Sequence, residues 1–100
     1  METEIINISK SKDKKEIYRK LTTYYKDGKL VAIPTETVYG LSANAMDDKA
    51  VCKIYEAKGR PSDNPLIVHF YEMSQLDNIV DYSDENVKKL IDKFWPGPMT

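Results

Sequence analysis

Leu30-Val31-Ala32-Ile33-Pro34-Thr35-Glu36-Thr37-Val38-Tyr39-Gly40-Leu41 opens on four apolar residues and closes on a glycine and a leucine. The run Leu30 to Ile33 reads as a short buried strand. Pro34 stops it, because proline has no N–H to give to a ladder. Two threonines, a glutamate and a tyrosine then fall within five positions. Hydroxyls held between a proline and a glycine at a strand end suit hydrogen bonding to a small polar ligand. The same residues also suit a β-turn followed by a Thr-rich strand, where Thr and Tyr are favoured on packing grounds alone. Periodicity alone favours the turn and strand.

Working outward, Ile5, Ile6 and Ile8 make a β-prone run that breaks at Ser9. Asp13 and Glu16 have the spacing of a capping box, and Ile17, Leu21 and Tyr24 or Tyr25 share one face of a 3.6-residue period. Gly28 is placed to end that helix. Asp47 or Asp48 caps a second helix carrying Ala50, Val51, Ile54 and Tyr55, which Gly59 and Pro61 close. Leu66 to Phe70 reads as another buried strand, Met73 to Val80 as a short helix, and Ser83 as the cap of a last helix stopped by Pro96 and Gly97. The order β-α-β-α-β-α-α predicts an α/β fold, a layer of helices against a sheet.

Two further segments bear chemistry. In Lys58-Gly59-Arg60-Pro61-Ser62-Asp63-Asn64-Pro65 two cations bracket a glycine at a helix end. They suit a charged C-cap, since the helix dipole favours cations there. They also suit, less readily on this segment alone, an anion clamp, with a planar guanidinium fork and a compact ammonium on a loop stiffened by two prolines. The spacing is not that of a Walker loop. In Leu66-Ile67-Val68-His69-Phe70 the chain's one histidine sits among apolar residues. Alternation puts Ile67, His69 and Tyr71 on one face and Leu66, Val68 and Phe70 on the other. A lone histidine in such a run is more often a core or edge residue than a ligand. One histidine and one cysteine, far apart, make a protein-ligated catalytic metal a poor expectation. Cys52 reads as a small buried residue on the second helix.

The 100 residues set one domain at most, and 41% hydrophobic with 31% charged residues is a globular balance. The formal net charge of -1 gives no bulk attraction to nucleic acid. Charge is nonetheless uneven: residues 1–30 hold 8 basic and 5 acidic side chains, residues 61–100 hold 3 and 7. A single cysteine excludes an internal disulfide framework and fits a reducing compartment. No apolar run approaches the ~20 residues of a membrane span. The acidic N-terminus lacks a secretory pattern, so a cytoplasmic location is expected.

Taken together, Leu30–Leu41, Ala43-Asn44-Ala45, Ala57 to His69 and Phe94-Trp95-Pro96-Gly97-Pro98-Met99-Thr100 resemble the YrdC-like family in order and spacing over residues 30–100. The resemblance implies a twisted mixed sheet flanked by helices, whose concave side holds substrates. It implies an enzyme that joins L-threonine, bicarbonate or CO2, and ATP with Mg2+ into threonylcarbamoyl-AMP and releases pyrophosphate. Partner proteins then pass the threonylcarbamoyl group to tRNA, with which a weak contact is also implied. Residue by residue, Lys58 and Arg60 match a pair expected on the ATP phosphates, and Asn64 a loop asparagine near the nucleotide. Thr37 and His69 match positions expected to hold threonine, with Thr35 a weaker match. No general base stands out, so the catalytic residue is left unassigned. The family's Ser-x-Asn nucleotide signature belongs beyond residue 100, which implies that residues 1–100 are the N-terminal portion of one domain and inactive alone. The competing readings are a related domain that adenylates carbamate in hydrogenase maturation, and an RNA-binding module without catalysis.

Overall fold

A computed structural model of this protein describes residues 2–61 and 64–100, and an aspartate begins each of the three α-helices among them. A helix leaves its first N–H groups without partners, and a carboxylate just ahead of it accepts from them. Helix α1 spans Lys14–Lys26, with Asp13 accepting from the Glu16 N–H at 3.1 Å. Helix α2 spans Asp48–Lys58, with Asp47 accepting from the Ala50 N–H at 3.2 Å. Helix α3 spans Glu85–Phe94, and here Asp84, not the expected Ser83, takes the cap by accepting from the N–H groups of Asn86 and Val87. The Ser83 N–H is instead drawn back to the Asp81 carboxylate at 2.9 Å.

Strands β1 (Val31–Ile33) and β2 (Gly40–Ser42) pair antiparallel, with Val31 opposite Ser42 and Ile33 opposite Gly40. The strand expected at Leu30 to Ile33 is present, and the Pro34–Tyr39 segment is its connection to β2. Among the described residues this pair is the whole sheet. The α/β class therefore holds, with one antiparallel pair standing for the mixed sheet. Two expected strands are corrected. The Ile5–Ile8 run forms no strand; it leads into a single 3-10 turn at Ile8–Lys10, where the Asn7 side chain caps the Lys10 N–H. Leu66 to Phe70 carries no ladder, because a strand needs a partner edge and none is paired with it. The helix expected at Met73 to Val80 is a shorter 3-10 turn, Met73–Leu76.

The chain divides into two compact units, Met1–Asn64 and Pro65–Thr100. In the first, the Ser42 hydroxyl donates its one proton to the Val31 carbonyl at 2.7 Å, so the Tyr25 hydroxyl, 2.6 Å away, must donate to Ser42. That chain of bonds ties α1 to the strand pair. The Lys53 ammonium donates to the Gly28 carbonyl at 2.9 Å and ties α2 to the end of α1. Gly28 itself is buried at φ 74°. Ala50 and Ile54 on the inner face of α2 are buried. In the second unit Leu76 is buried, Phe70 and Trp95 meet edge to face at 4.8 Å, and the Trp95 indole N–H donates to the Met99 carbonyl at 2.8 Å.

Candidate substrate-binding site

Lys58 and Arg60 bracket a reversal of the backbone. Lys58 is the last residue of α2, and Gly59 follows in the left-handed conformation at φ 63°. A side chain there would be strained, and the glycine lets the chain turn back at once. The Gly59 N–H donates to the Glu56 carbonyl at 3.3 Å and the Arg60 N–H to the Tyr55 carbonyl at 3.0 Å, which satisfies the helix end. Both cationic side chains are exposed. The negative pole of the helix dipole lies at this end, so it supports the cations but offers nothing to an anion. An anion held here is held by the two side chains.

The loop beyond Arg60 is fastened back onto the helix. The Tyr55 hydroxyl donates to the Asn64 carbonyl, and the Asn64 N–H donates to the Pro61 carbonyl at 3.2 Å. Lys58 and Arg60 thus lie at one end of α2, and the Asn64 backbone is fastened to Tyr55 of the same helix. Ser62 and Asp63, in the middle of that motif, lie outside the described residues. Cys52, Tyr55, Glu56, Gly59 and Arg60 line an open depression of about 390 Å³ along the outer face of α2. Cys52 is exposed there, against the expectation of burial. It lies two residues after the buried Ala50, and two helical steps of about 100° turn it to the opposite face. In the sequence Tyr55 reads only as an apolar helix position. Its role as the tether of the loop gives no sign in the sequence, because its partner is a backbone carbonyl nine residues on.

Thr37 sits at the exposed middle of the β1–β2 connection. Thr35 is half-buried, donates to the Val38 carbonyl, and accepts from the Thr37 N–H at 3.3 Å. His69 is exposed and belongs to the second unit, in a segment without regular secondary structure ahead of the 3-10 turn. The expected alternation of faces around it is broken at one position: Ile67, His69 and Tyr71 are exposed and Leu66 and Phe70 half-buried, but Val68 is 60% exposed.

Comparison with known proteins decides what this geometry belongs to. The model of the Sua5/YciO/YrdC family, described as "Telomere recombination", matches residues 23–100. The chain belongs to the Sua5/YciO/YrdC family. It is 49% identical over 98 residues, 98% of its length, to a protein of Pyrococcus abyssi named threonylcarbamoyl-AMP synthase, and covers 28% of that protein. It is 57% identical over 75 residues, 75% of its length, to a protein of the same name from Bacillus subtilis, and covers 22% of it. Among solved structures it matches a doubly substituted Pyrococcus abyssi Sua5 with a TM-score of 0.82 at 48% identity, over 93% of this chain and 28% of that one. It also matches Pyrococcus abyssi Sua5 complexed with L-threonine with a TM-score of 0.73 at 52% identity, over 80% of this chain and 24% of that one. The chain therefore spans about a quarter of the length of these relatives. Among the described residues, no helix is long and apolar enough to cross a membrane.

Proposed function

We propose that this chain supplies part of the substrate site of an L-threonylcarbamoyladenylate synthase, a cytoplasmic nucleotidyltransferase serving threonylcarbamoyladenosine modification of tRNA. The observation that carries the proposal is the 49% identity, over nearly the whole chain, to a relative of that name. We further propose that residues 1–100 form the N-terminal portion of a single domain of this kind.

In this reading Thr37 and His69 hold L-threonine, and Lys58, Arg60 and Asn64 hold ATP, which enters with Mg2+ on its own phosphate oxygens. The amine of threonine takes up CO2, supplied as such or as bicarbonate, to give a carbamate. A carbamate oxygen attacks the α-phosphorus, a new O–P bond forms, and the bond to the β-phosphate breaks to release pyrophosphate. Attacker and target are both negative, so the approach needs positive charge between them. Lys58 and Arg60 at the end of α2 provide it, and they stabilise the charge on the departing pyrophosphate. Catalysis is then positioning and electrostatics, with no covalent enzyme intermediate. The product passes to tRNA threonylcarbamoyl-transfer proteins.

The test is pyrophosphate release by the full-length protein, with the adenylate identified by mass. Release that requires both L-threonine and bicarbonate is expected. Release with carbamoyl phosphate in their place would replace this reading with carbamate adenylation. Salt-dependent tRNA binding with no release under either condition would replace it with an RNA-binding module.

A further inference from the structure

Thr35 has no direct part in the function proposed above, yet both branches of its side chain are engaged. Its hydroxyl has one proton and two lone pairs. The proton goes to the Val38 carbonyl. A lone pair accepts the Thr37 N–H at 3.3 Å. The two threonine hydroxyl oxygens are 3.5 Å apart. Because the Thr35 proton is committed to Val38, any bond between the hydroxyls is donated by Thr37. On its other branch, Thr35 rests its methyl against the start of β2: a Cβ added at Gly40 would stand only 3.3 Å from the Thr35 Cγ2. A β-branched side chain fixed on both branches has one rotamer left.

We infer that Thr35 is a positioning residue: it locks the Pro34–Tyr39 connection and turns the Thr37 hydroxyl so that its lone pairs face outward as an acceptor for a donor group of the amino-acid substrate. This rests on the reading that Thr37 binds L-threonine. It then assigns the end of the substrate that Thr37 meets. The ammonium and the hydroxyl of threonine both carry protons to donate, whereas the carboxylate has only lone pairs and would face those of Thr37. Thr37 therefore takes the amine or hydroxyl end, and the carboxylate lies elsewhere. Gly40 belongs to the same device, since it leaves the space the Thr35 methyl fills.

The test uses the full-length protein, amide exchange at Thr37 by NMR, and calorimetric titration with L-threonine and separately with ATP. Thr35→Val keeps the shape and removes the hydroxyl. It is expected to speed exchange of the Thr37 amide and to weaken L-threonine about tenfold, with ATP affinity unchanged. Thr35→Ser restores the hydroxyl and should return affinity to within about threefold of the unsubstituted protein. Thr35→Ala serves if the valine variant does not fold. Wild-type threonine affinity in Thr35→Val, or no rescue by Thr35→Ser, overturns the inference. Two substrate analogues assign the donor. With L-2-aminobutyrate, which lacks the hydroxyl, a persisting Thr35→Val penalty places the ammonium at Thr37, and a vanished penalty places the hydroxyl there. With L-threoninol, which lacks the carboxylate, a vanished penalty overturns the inference. If the unsubstituted protein binds no L-threonine while the Thr37 amide still depends on Thr35, the substrate reading fails and the lock on the connection stands.

Discussion

Arg60 and Lys58 do their proposed work as individual charges, and the two are not equivalent. Lys58 ends a helix whose geometry fixes its backbone, whereas Arg60 follows a left-handed glycine and relies on the loop behind it. Among the described residues, the one side-chain bond that fastens that loop to α2 is from the Tyr55 hydroxyl to the Asn64 carbonyl. Lys58→Ala and Arg60→Ala are each expected to weaken ATP about ten- to a hundredfold, the scale of a lost charge-assisted contact, and to leave L-threonine binding unchanged. Arg60→Lys keeps the charge, loses the planar fork, and should recover only part of the loss. Tyr55→Phe removes the tether and no charge, and should weaken ATP about threefold to tenfold. Calorimetric titration of the four variants checks the order. ATP affinity in Tyr55→Phe as low as in Arg60→Ala would show that the tether, not the cation, carries the effect. Lys58 and Arg60 were legible as candidates from their place around Gly59 at a helix end, and Thr37 as a hydroxyl between Pro34 and Gly40, whereas Asn64 was singled out by the family resemblance alone. Tyr55 was not, because a tyrosine on an amphipathic helix face looks the same whether its hydroxyl is tethered or wet.

At the scale of elements, what the sequence disclosed was what it encodes locally. The caps of α1 and α2, the left-handed Gly59 and the stop at Pro34 each depend on a few neighbouring residues, and each is where the pattern put it. The strands at Ile5–Ile8 and Leu66–Phe70 failed because a strand is a pairing between distant segments, which composition does not report. The N-terminal run is held to α1 by side chains instead: the Glu4 carboxylate accepts from the Lys20 ammonium and from the Tyr24 hydroxyl. Foremost the Lys20 contact, then Tyr24, holds the Glu4 carboxyl below its ordinary 4.5, and Glu4 in turn raises Lys20. The signs follow. A lowered carboxylate contributes above its unfolded value and loses that contribution as pH falls through the folded one. A raised lysine contributes below its unfolded value and loses it as pH rises through the folded one. The contact is therefore complete between these two ranges, across neutral pH, and opens in acid below 4.5. Glu4 and Lys20 are solvent-exposed and Tyr24 is half-buried, so the effect is local and salt-sensitive. In a ¹³C titration Glu4 should have its midpoint below 4.5 and move up in Lys20→Ala. An unmoved midpoint in that variant would leave Glu4 without its assigned partner.

Over the whole molecule the thinness of the core matters most. Among the described residues only Ala50, Ile54 and Leu76 are buried apolar side chains. Ile5, Met46, Tyr71 and Tyr39 are 91%, 81%, 82% and 77% exposed, and Val87, Leu90 and Phe94 along α3 are also open to solvent. Three buried apolar side chains, one of them an alanine, are few to hold a domain of this length in one packed state. The helices are well capped, so local structure can persist where tertiary packing does not, as in compact states with secondary structure and exposed apolar surface. Residues 1–100 expressed alone should therefore show helical far-UV circular dichroism, a broad thermal transition and strong binding of a hydrophobic dye. They should release no pyrophosphate from ATP with L-threonine and bicarbonate. The dye and the melt separate two causes of inactivity. A sharp, cooperative transition without dye binding, combined with no release, would mean that the fold is sound and that the site alone is incomplete. Release at an appreciable rate would show that Lys58, Arg60 and the Thr37 connection suffice for the chemistry, and would defeat the argument from the core.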